Sequence, residues 1–235
     1  MPDEMEVLYS DESIIVVNKP AGLSVLPEGW DRNASYLVKI LEEQFPKIWV
    51  VHRIDKVSSG VMVFALTAEA HRDLNIQFEK HQVEKKYHAI ANGVPAWEDK
   101  ITKHPLRVNV GHKHRTVVDS TGGKKTETRF KVLGRYQAHV LFEAQPMTGR
   151  THQIRVHSMA MGHPLLGDIL YNAPETDLIA RPALHAHTLS FTHPETKIRA
   201  AFTASYPPDF SNALIKYARI YLADYLLRLI YSLFS

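Results

Sequence analysis

The stretch VHRIDKVSSG, residues 51–60, decides how the rest of this chain is interpreted. It places His52, Arg53 and Asp55 within four positions, between the apolar run IWVV and the strand-like run VMVFAL of residues 61–66. Charged residues between two such runs belong in a loop or at a strand end. If Asp55 is buried it needs a cationic partner, because burying a carboxylate alone costs several kcal/mol. A solvated turn is the alternative, and this stretch alone does not decide between them.

Composition indicates an ordinary globular protein of one large or two small domains. Of the 235 residues, 45% are hydrophobic and 23% are charged, and there is no cysteine. The missing thiols exclude disulfides and cysteine-ligated zinc or iron–sulfur sites. The acidic N-terminus, MPDEME, does not resemble a secretory signal. We therefore expect a cytoplasmic protein without a membrane span.

Charge is unevenly distributed along the chain. The net charge is only +3, but residues 79–135 hold 13 Lys and Arg against 6 Asp and Glu. This local excess of about +7 favours a surface that binds a polyanion such as nucleic acid. A solvated lysine-rich surface is the alternative. Lys19, in a Pro-Gly turn, is either a phosphate contact or another solvated turn residue.

The hydrophobic pattern predicts alternating strands and helices with no repeats. Tyr87 is expected on one face of its strand, with Lys86 and His88 on the other. Thr67 is expected to cap the helix that follows it. The predicted strands are residues 14–18, 61–66, 85–91, 125–133 and 139–144, and the predicted helices are residues 35–45, 67–78 and 151–161. Residues 111–115 and 122–125 are predicted as exposed basic turns.

Two further features concern the C-terminal half. Arg155 lies on one edge of the helix predicted for residues 151–161, and an arginine packed there requires an anionic partner. The last residues, 213–235, form an apolar helical tail with four charges, which argues against a transmembrane span. We expect this tail to dock on its own domain or on another chain.

Histidine pairs raise one competing hypothesis. The chain has 14 histidines, and His112 with His114, or His185 with His187, are spaced as metal ligands could be. No acidic or thiol ligand stands beside either pair, so we expect no metal. A metal-assisted hydrolase is nevertheless the main enzymatic alternative, and it predicts inhibition by chelators.

The motif HRIDKVSSG resembles the signature HRLDxxTSG of the RluA-type RNA pseudouridine synthases. Ile54 and Ser58 replace the commoner Leu and Thr, and neither change removes a charged group. Four more blocks resemble that family and stand in its order: IIVVNKPAGLSV (14–25), EKKYHAIANG (84–93), PMTGRTHQIRVHSMAMGHPLLGD (146–168) and ALHAHTLSFTHP (183–194).

This resemblance implies an α+β pseudouridine synthase catalytic fold, a long, mixed, mostly antiparallel sheet with flanking helices and a central cleft. The catalytic domain would span residues 1–212, without an S4 RNA-binding domain, and the tail residues 213–235. The implied reaction isomerises a uridine in ribosomal or transfer RNA without a cofactor. The protein would act on a structured RNA stem-loop as a monomer. A non-catalytic RNA-binding protein on the same fold is the alternative.

Residue roles follow from the same resemblance. Asp55 is the catalytic carboxylate, acting as a nucleophile at C1′ or as a base at C2′, and the sequence does not choose between these. Arg155 would pair with Asp55 and keep it ionised. Tyr87 would stack on the uracil and could help to remove the C5 proton, and Arg53 would fill the space left by the flipped base. The other implied RNA-binding residues are His52, Arg150 and Lys86.

Overall fold

The computed structural model describes residues 5–27, 35–112 and 114–216. In chain order the elements are β1 (Glu6–Ser10), β2 (Ile14–Lys19), α1 (Leu37–Glu42), β3 (Trp49–Val50), β4 (Ser59–Ala65), α2 (Ala68–Glu79), β5 (Glu84–Asn92), β6 (Asp99–Thr102), β7 (Leu106–Val110), β8 (Arg115–Val118), β9 (Thr128–Arg135), β10 (His139–Pro146), α3 (Gln153–Ala160), a 3₁₀ turn (Ile169–Tyr171), β11 (Leu184–Thr192) and β12 (Arg199–Thr203). Residues 208–216 are also helical.

Ten of these strands belong to one mixed sheet, and β7 and β8 form a separate hairpin. Strand pairs β1–β2, β2–β4, β3–β4, β11–β12 and β6–β9 are antiparallel, whereas β4 and β11 run parallel. A large mixed sheet with a few helices confirms the predicted α+β class. Within the described residues no helix is long and apolar enough to cross a membrane.

The described chain divides into two compact units. The first unit contains the residues up to His88 together with Gln145–His152 and Leu184–Tyr206. The second unit contains Ala89–Ala144, Gln153–Ala183 and the described residues from Pro207 onward. The predicted boundary at residue 213 and the predicted central cleft stay predictions. Residues 217–235, most of the predicted tail, lie outside the described residues.

The core of the first unit is built on β2 and β4. All seven residues of β4 are buried, as are the four apolar residues of β2, because both strands are nearly continuous apolar runs. Helix α2 packs Ala70 and Leu74 against them, and Thr67 caps it by accepting a hydrogen bond from the Ala70 amide at 3.1 Å. These predictions are confirmed. Helix α1 is shorter than predicted.

Gly60 is required where β4 meets β11. The parallel pairing places Gly60 opposite Ala186, and a Cβ on Gly60 would lie 2.2 Å from the Ala186 carbonyl oxygen. The φ of Gly60 is +119°, a value that other residues rarely adopt. The final glycine of residues 51–60 therefore lets β11 pair directly beside the charged loop.

The second unit holds the helix that carries Arg155. Strand β9 alternates buried and exposed side chains as predicted. His157 of α3 is fully buried, and its two ring nitrogens lie 2.9 Å from Thr128 Oγ1 and 3.0 Å from Thr126 Oγ1. These contacts fix α3 on the segment leading into β9. Of the predicted basic turn at residues 111–115, residues 111, 112 and 114 lie between β7 and β8, Arg115 already belongs to β8, and residue 113 lies outside the described residues.

Candidate active site

Asp55 lies in the loop between β3 and β4, as its flanking apolar runs predict. The Ser58 amide donates to the Asp55 carbonyl at 2.9 Å, which closes a turn. The next carbonyl, of Lys56, accepts from the Gly22 amide at 2.8 Å and from Lys19 Nζ at 3.2 Å. The backbone around Asp55 is therefore tied to the loop after β2.

Lys19 corrects one expectation from the sequence. Its side chain is fully buried, and Nζ also donates to the carbonyls of Pro20 and Leu23, each at 2.7 Å. These two bonds and the one to Lys56 use all three donors of an ammonium group. Lys19 is therefore an internal clamp between two loops, and neither a solvated turn residue nor a phosphate contact at the surface.

The Asp55 carboxylate faces a histidine that the sequence did not single out. His152 Nε2 lies 3.8 Å from Asp55 Oδ2, and the two side chains are 17% and 25% exposed. His152 has a φ of +55°, in the left-handed region. This strained backbone stands between Arg150 and α3, where the chain turns into the helix. Partial exposure leaves the carboxylate accessible to a ligand.

Tyr87 lies near Asp55 in the same unit. It is half-buried on β5, and burial, followed by the negative charge of Asp55, raises the pKa of its phenol above the ordinary value. Residues 84–92 form one strand, so the side chains of Lys86 and His88 point to the face opposite Tyr87. On that face His88 stacks on His187 with ring centroids 3.9 Å apart. The predicted face assignment of Tyr87 is thus confirmed. A phenol in this environment is neutral at physiological pH and offers an aromatic surface beside a carboxylate.

His52 is held as a neutral ring. Its Nε2 accepts a hydrogen bond from the Val63 amide at 3.1 Å, and its ring stacks on Phe78 at 4.6 Å between centroids. Burial, together with the positive charge of Lys85, lowers the pKa of His52 to about 3. It therefore brings no positive charge to RNA at neutral pH. Its role in RNA binding stays a prediction. At neutral pH His52 would contact RNA as a neutral ring, without an ionic attraction to phosphate.

Arg155 has a partner that the sequence did not indicate. Its Nε and Nη2 donate to the two carboxylate oxygens of Asp168 at 2.7 and 2.8 Å, and the two side chains are 4% and 1% exposed. The guanidinium also lies over the Tyr171 ring, 4.9 Å from its centroid. The expectation that Arg155 requires an anionic partner is met by Asp168. The predicted pair of Arg155 with Asp55 stays a prediction.

The remaining predicted site residues differ in exposure. Arg53 and Arg150 are exposed, and Lys86 is half-exposed, with its Nζ 3.3 Å from Glu84 Oε1. Arg53 and Arg150 flank Asp55 and His152 in sequence. Lys86 points to the face opposite Tyr87.

Comparison with known proteins identifies the family. Residues 13–160 match the family model described as RNA pseudouridylate synthase. The chain belongs to this family. The matched range contains Asp55, Tyr87 and Arg155 and ends before Asp168.

Several members of the pseudouridylate synthase family resemble most of the chain. A ribosomal large subunit pseudouridine synthase D of Neisseria meningitidis serogroup A is 39% identical over 229 residues, which cover 91% of this chain and 61% of that protein. The chain thus spans about three fifths of that relative's length. A dual-specificity RNA pseudouridine synthase RluA of Yersinia pestis is 39% identical over 193 residues, 81% of this chain and 94% of that one. The solved structure of human RNA pseudouridylate synthase domain containing 1 superimposes with a TM-score of 0.76 at 26% identity, covering 90% of this chain and 88% of that one.

The sequence did not indicate His152, which faces Asp55, or Asp168, which pairs with Arg155. Both lie inside a block that resembles the family, and Asp168 follows a glycine in a turn. The sequence indicated that Arg155 requires an anionic partner. Nothing in the spacing of the acidic residues, however, distinguished Asp168 from the others. For His152 no sequence signal existed beyond its closeness to Arg150.

Histidines in the described part of the chain form no site for a metal. No group of three or more histidine, aspartate or glutamate side chains there is arranged to hold one. The two ring nitrogens of His185 lie 2.9 Å from Ser59 Oγ and 3.2 Å from the Ala204 carbonyl oxygen. His114 Nδ1 lies 2.6 Å from Asn109 Oδ1. These rings serve local hydrogen bonding.

Proposed function

We propose that this protein is an RNA pseudouridine synthase that isomerises a specific uridine of ribosomal or transfer RNA. Family membership supports the reaction class. The Neisseria relative is named for the ribosomal large subunit and the Yersinia relative as a dual-specificity RNA enzyme, which supports ribosomal RNA and a second RNA as substrates. The single observation that carries the proposal is that Asp55 and Tyr87 lie in the same unit, where burial and, after it, the negative charge of Asp55 raise the pKa of the Tyr87 phenol. The location we propose is cytoplasmic.

In the proposed reaction the N1–C1′ bond of uridine breaks, the uracil turns over, and C5 forms a bond to C1′. The C5 proton leaves and N1 gains a proton, so the reaction needs neither an oxidant nor water. Asp55 acts at the sugar, as a nucleophile at C1′ or as a base at C2′. Its half-buried position gives access to a nucleotide while limiting water.

Tyr87 would support the uracil as an aromatic surface. Because its pKa is raised, the phenol is protonated in the resting protein, which favours a packing role over that of a base. Arg155, held by Asp168, would be the cation that keeps Asp55 ionised, a role carried over from the family resemblance. Arg53, exposed two positions before Asp55, would occupy the space of the flipped base.

Phosphate binding would come from cations that carboxylates do not neutralise. In the basic segment several cations are already paired: Lys103 with Glu127, Arg107 with Asp119, Arg129 with Asp99, and Arg135 with Glu98. Other basic residues of that segment form no salt bridge with a described carboxylate, namely Lys80, Lys85, Lys100, Arg115, Lys124, Lys125 and Lys131. This remaining positive charge predicts binding to RNA that weakens steeply with salt.

The experiment measures tritium released from RNA labelled at C5 of uridine, using the purified protein. Wild type should release tritium from ribosomal or transfer RNA, and Asp55→Asn should release none while still binding RNA. Asp73→Asn, which removes a carboxylate of the first unit paired with Lys197, is the matched control and should retain activity. Binding without tritium release by wild type would establish the non-catalytic alternative instead. Mapping by carbodiimide-stop sequencing then identifies the uridine.

A further inference from the structure

Two consecutive lysines of β5 differ in their surroundings. Lys86 Nζ lies 3.3 Å from Glu84 Oε1, whereas the Lys85 ammonium group forms no hydrogen bond or salt bridge with any residue that the structure describes. Lys85 is nevertheless half-buried, and burial lowers the pKa of its ammonium group. Lysines that lose contact with water usually gain an anionic partner. Folding thus removes part of the water around the Lys85 ammonium group, and no described carboxylate pairs with it in return.

The position of Lys85 relates it to the candidate active site. Side chains two residues apart on a strand share a face and lie roughly 7 Å apart, so Lys85 is on the same face of β5 as Tyr87. On the other side, Lys85 Nζ lies 3.9 Å from where a Cβ of Gly149 would be. Gly149 precedes Arg150 and the segment ending in His152, which faces Asp55. Lys85 therefore lies on the face of β5 that carries Tyr87 and beside the segment that ends in His152.

Lys85 also lines an open cavity. The cavity has a volume of about 150 Å³, and its other walls include Gln145, Pro146 and Met147. Glu84 and His81 are the other titratable groups in its lining, and His52 lies within electrostatic range of Lys85. Glu84 is already engaged by Lys86 and by Gln145, whose Nε2 donates to Glu84 Oε1 at 3.4 Å. An anion that enters this cavity would contact Lys85, a cation that no carboxylate of the lining pairs with.

We propose that Lys85 binds a phosphodiester group of the RNA, next to the nucleotide that Tyr87 and Asp55 receive. This inference rests on the proposed function, because it takes the ligand to be RNA. A phosphate oxygen is the ligand that fits, since an ammonium binds phosphate as a compact point charge. Lys85 and Tyr87 are two positions apart on the strand, roughly 7 Å. This distance suits a phosphate next to the nucleotide whose base contacts Tyr87, and not a phosphate several nucleotides away. Lys85 is thus a binding residue that positions the target nucleotide.

The test compares Lys85→Gln with Lys86→Gln, which change charge equally at adjacent positions on opposite faces. Both are made in the Asp55→Asn background, so that binding is measured without turnover. Lys85→Gln should raise the Kd for a uridine-containing stem-loop roughly 10-fold and reduce the slope of log Kd against log salt by about 0.7–1. Lys86→Gln should change both less. Lys85→Arg should restore the slope.

A second measurement locates the phosphate. A neutral methylphosphonate replaces, one at a time, the phosphates on either side of the target uridine. One replacement should weaken RNA binding by the protein that keeps Lys85. The same replacement should not weaken RNA binding further in the Lys85→Gln variant. If every replacement weakens binding equally in both proteins, or if Lys86→Gln changes the salt slope as much as Lys85→Gln, the proposed site is wrong.

These outcomes separate the two proposals. Tritium release by wild type with an unchanged salt slope in Lys85→Gln would overturn the phosphate site alone. RNA binding that depends on Lys85, without tritium release, would overturn the catalytic function alone. Thermal unfolding checks that the variants fold, and Lys85→Gln should not lower the Tm, because the Lys85 ammonium group makes no polar contact with the described residues.

Discussion

Arg155 and Asp168 form a buried, two-pronged ion pair, with both Arg155 Nε and Nη2 bound to the carboxylate at 2.7 and 2.8 Å. Tyr171 lies against the guanidinium, and its hydroxyl accepts a hydrogen bond from the Thr116 amide at 2.9 Å. The two bonds to Asp168 and the Tyr171 ring together fix the orientation of the guanidinium plane. A catalytic role of Arg155 would therefore depend on Asp168 as a positioning residue.

Arg155→Lys should lose most of the activity although it conserves the charge. A lysine cannot make two parallel bonds to Asp168, so we expect kcat at saturating RNA to fall at least 10-fold and the free energy of unfolding to fall by roughly 2–3 kcal/mol. The matched control is Arg181→Lys, because Arg181 makes a similar forked pair with Asp209 at 2.7 and 2.9 Å in the same unit. Equal kcat losses in the two variants would contradict a specific role for Arg155.

Tyr87 should ionise later than an exposed tyrosine. Burial and the charge of Asp55 both raise its pKa, so the phenol stays protonated across the neutral and mildly alkaline range. Ultraviolet titration of wild type minus Tyr87→Phe isolates this group, and its pKa should exceed the value of about 10 for free tyrosine. Asp55→Asn should lower that pKa only in part, because burial is the larger cause. A Tyr87 pKa at or below 10 would contradict this environment.

The sequence predicted those features that depend on local pattern. The apolar runs that became β2 and β4, the cap at Thr67 and the alternating faces around Tyr87 follow from periodicity and capping chemistry. It did not predict β11, because its histidines and threonines are polar residues that are buried or half-buried by neighbouring strands. Nor did it predict the Arg155–Asp168 pair or the buried clamp of Lys19. Those depend on which distant segments the fold brings together.

The pH dependence of stability should carry a contribution from His52. Its folded pKa of about 3 lies below the ordinary 6.5, so the unfolded chain binds a proton that the folded protein does not. The contribution of neutral His52 to the free energy of unfolding is therefore full above pH 6.5 and is lost as the pH falls toward 3. His88, with a pKa lowered to about 4, acts in the same direction. Urea unfolding from pH 7 to pH 4 should show a shallower decline for His52→Gln than for wild type, whereas a control variant of the exposed His112 should follow wild type.

Gly60→Ala should disrupt the pairing that holds the Asp55 loop against β11. The added Cβ would lie 2.2 Å from the Ala186 carbonyl oxygen and 2.6 Å from its amide nitrogen, both backbone atoms that cannot rotate away. Strain at a φ of +119° adds to this clash, so we expect a loss of roughly 3 kcal/mol or more in the free energy of unfolding. Gly122→Ala is the control, because there the Cβ approaches only the flexible carboxylate of Asp119 at 3.2 Å. Chemical denaturation of both variants checks the prediction, and a Gly60→Ala protein as stable as Gly122→Ala would contradict the close approach of β4 and β11.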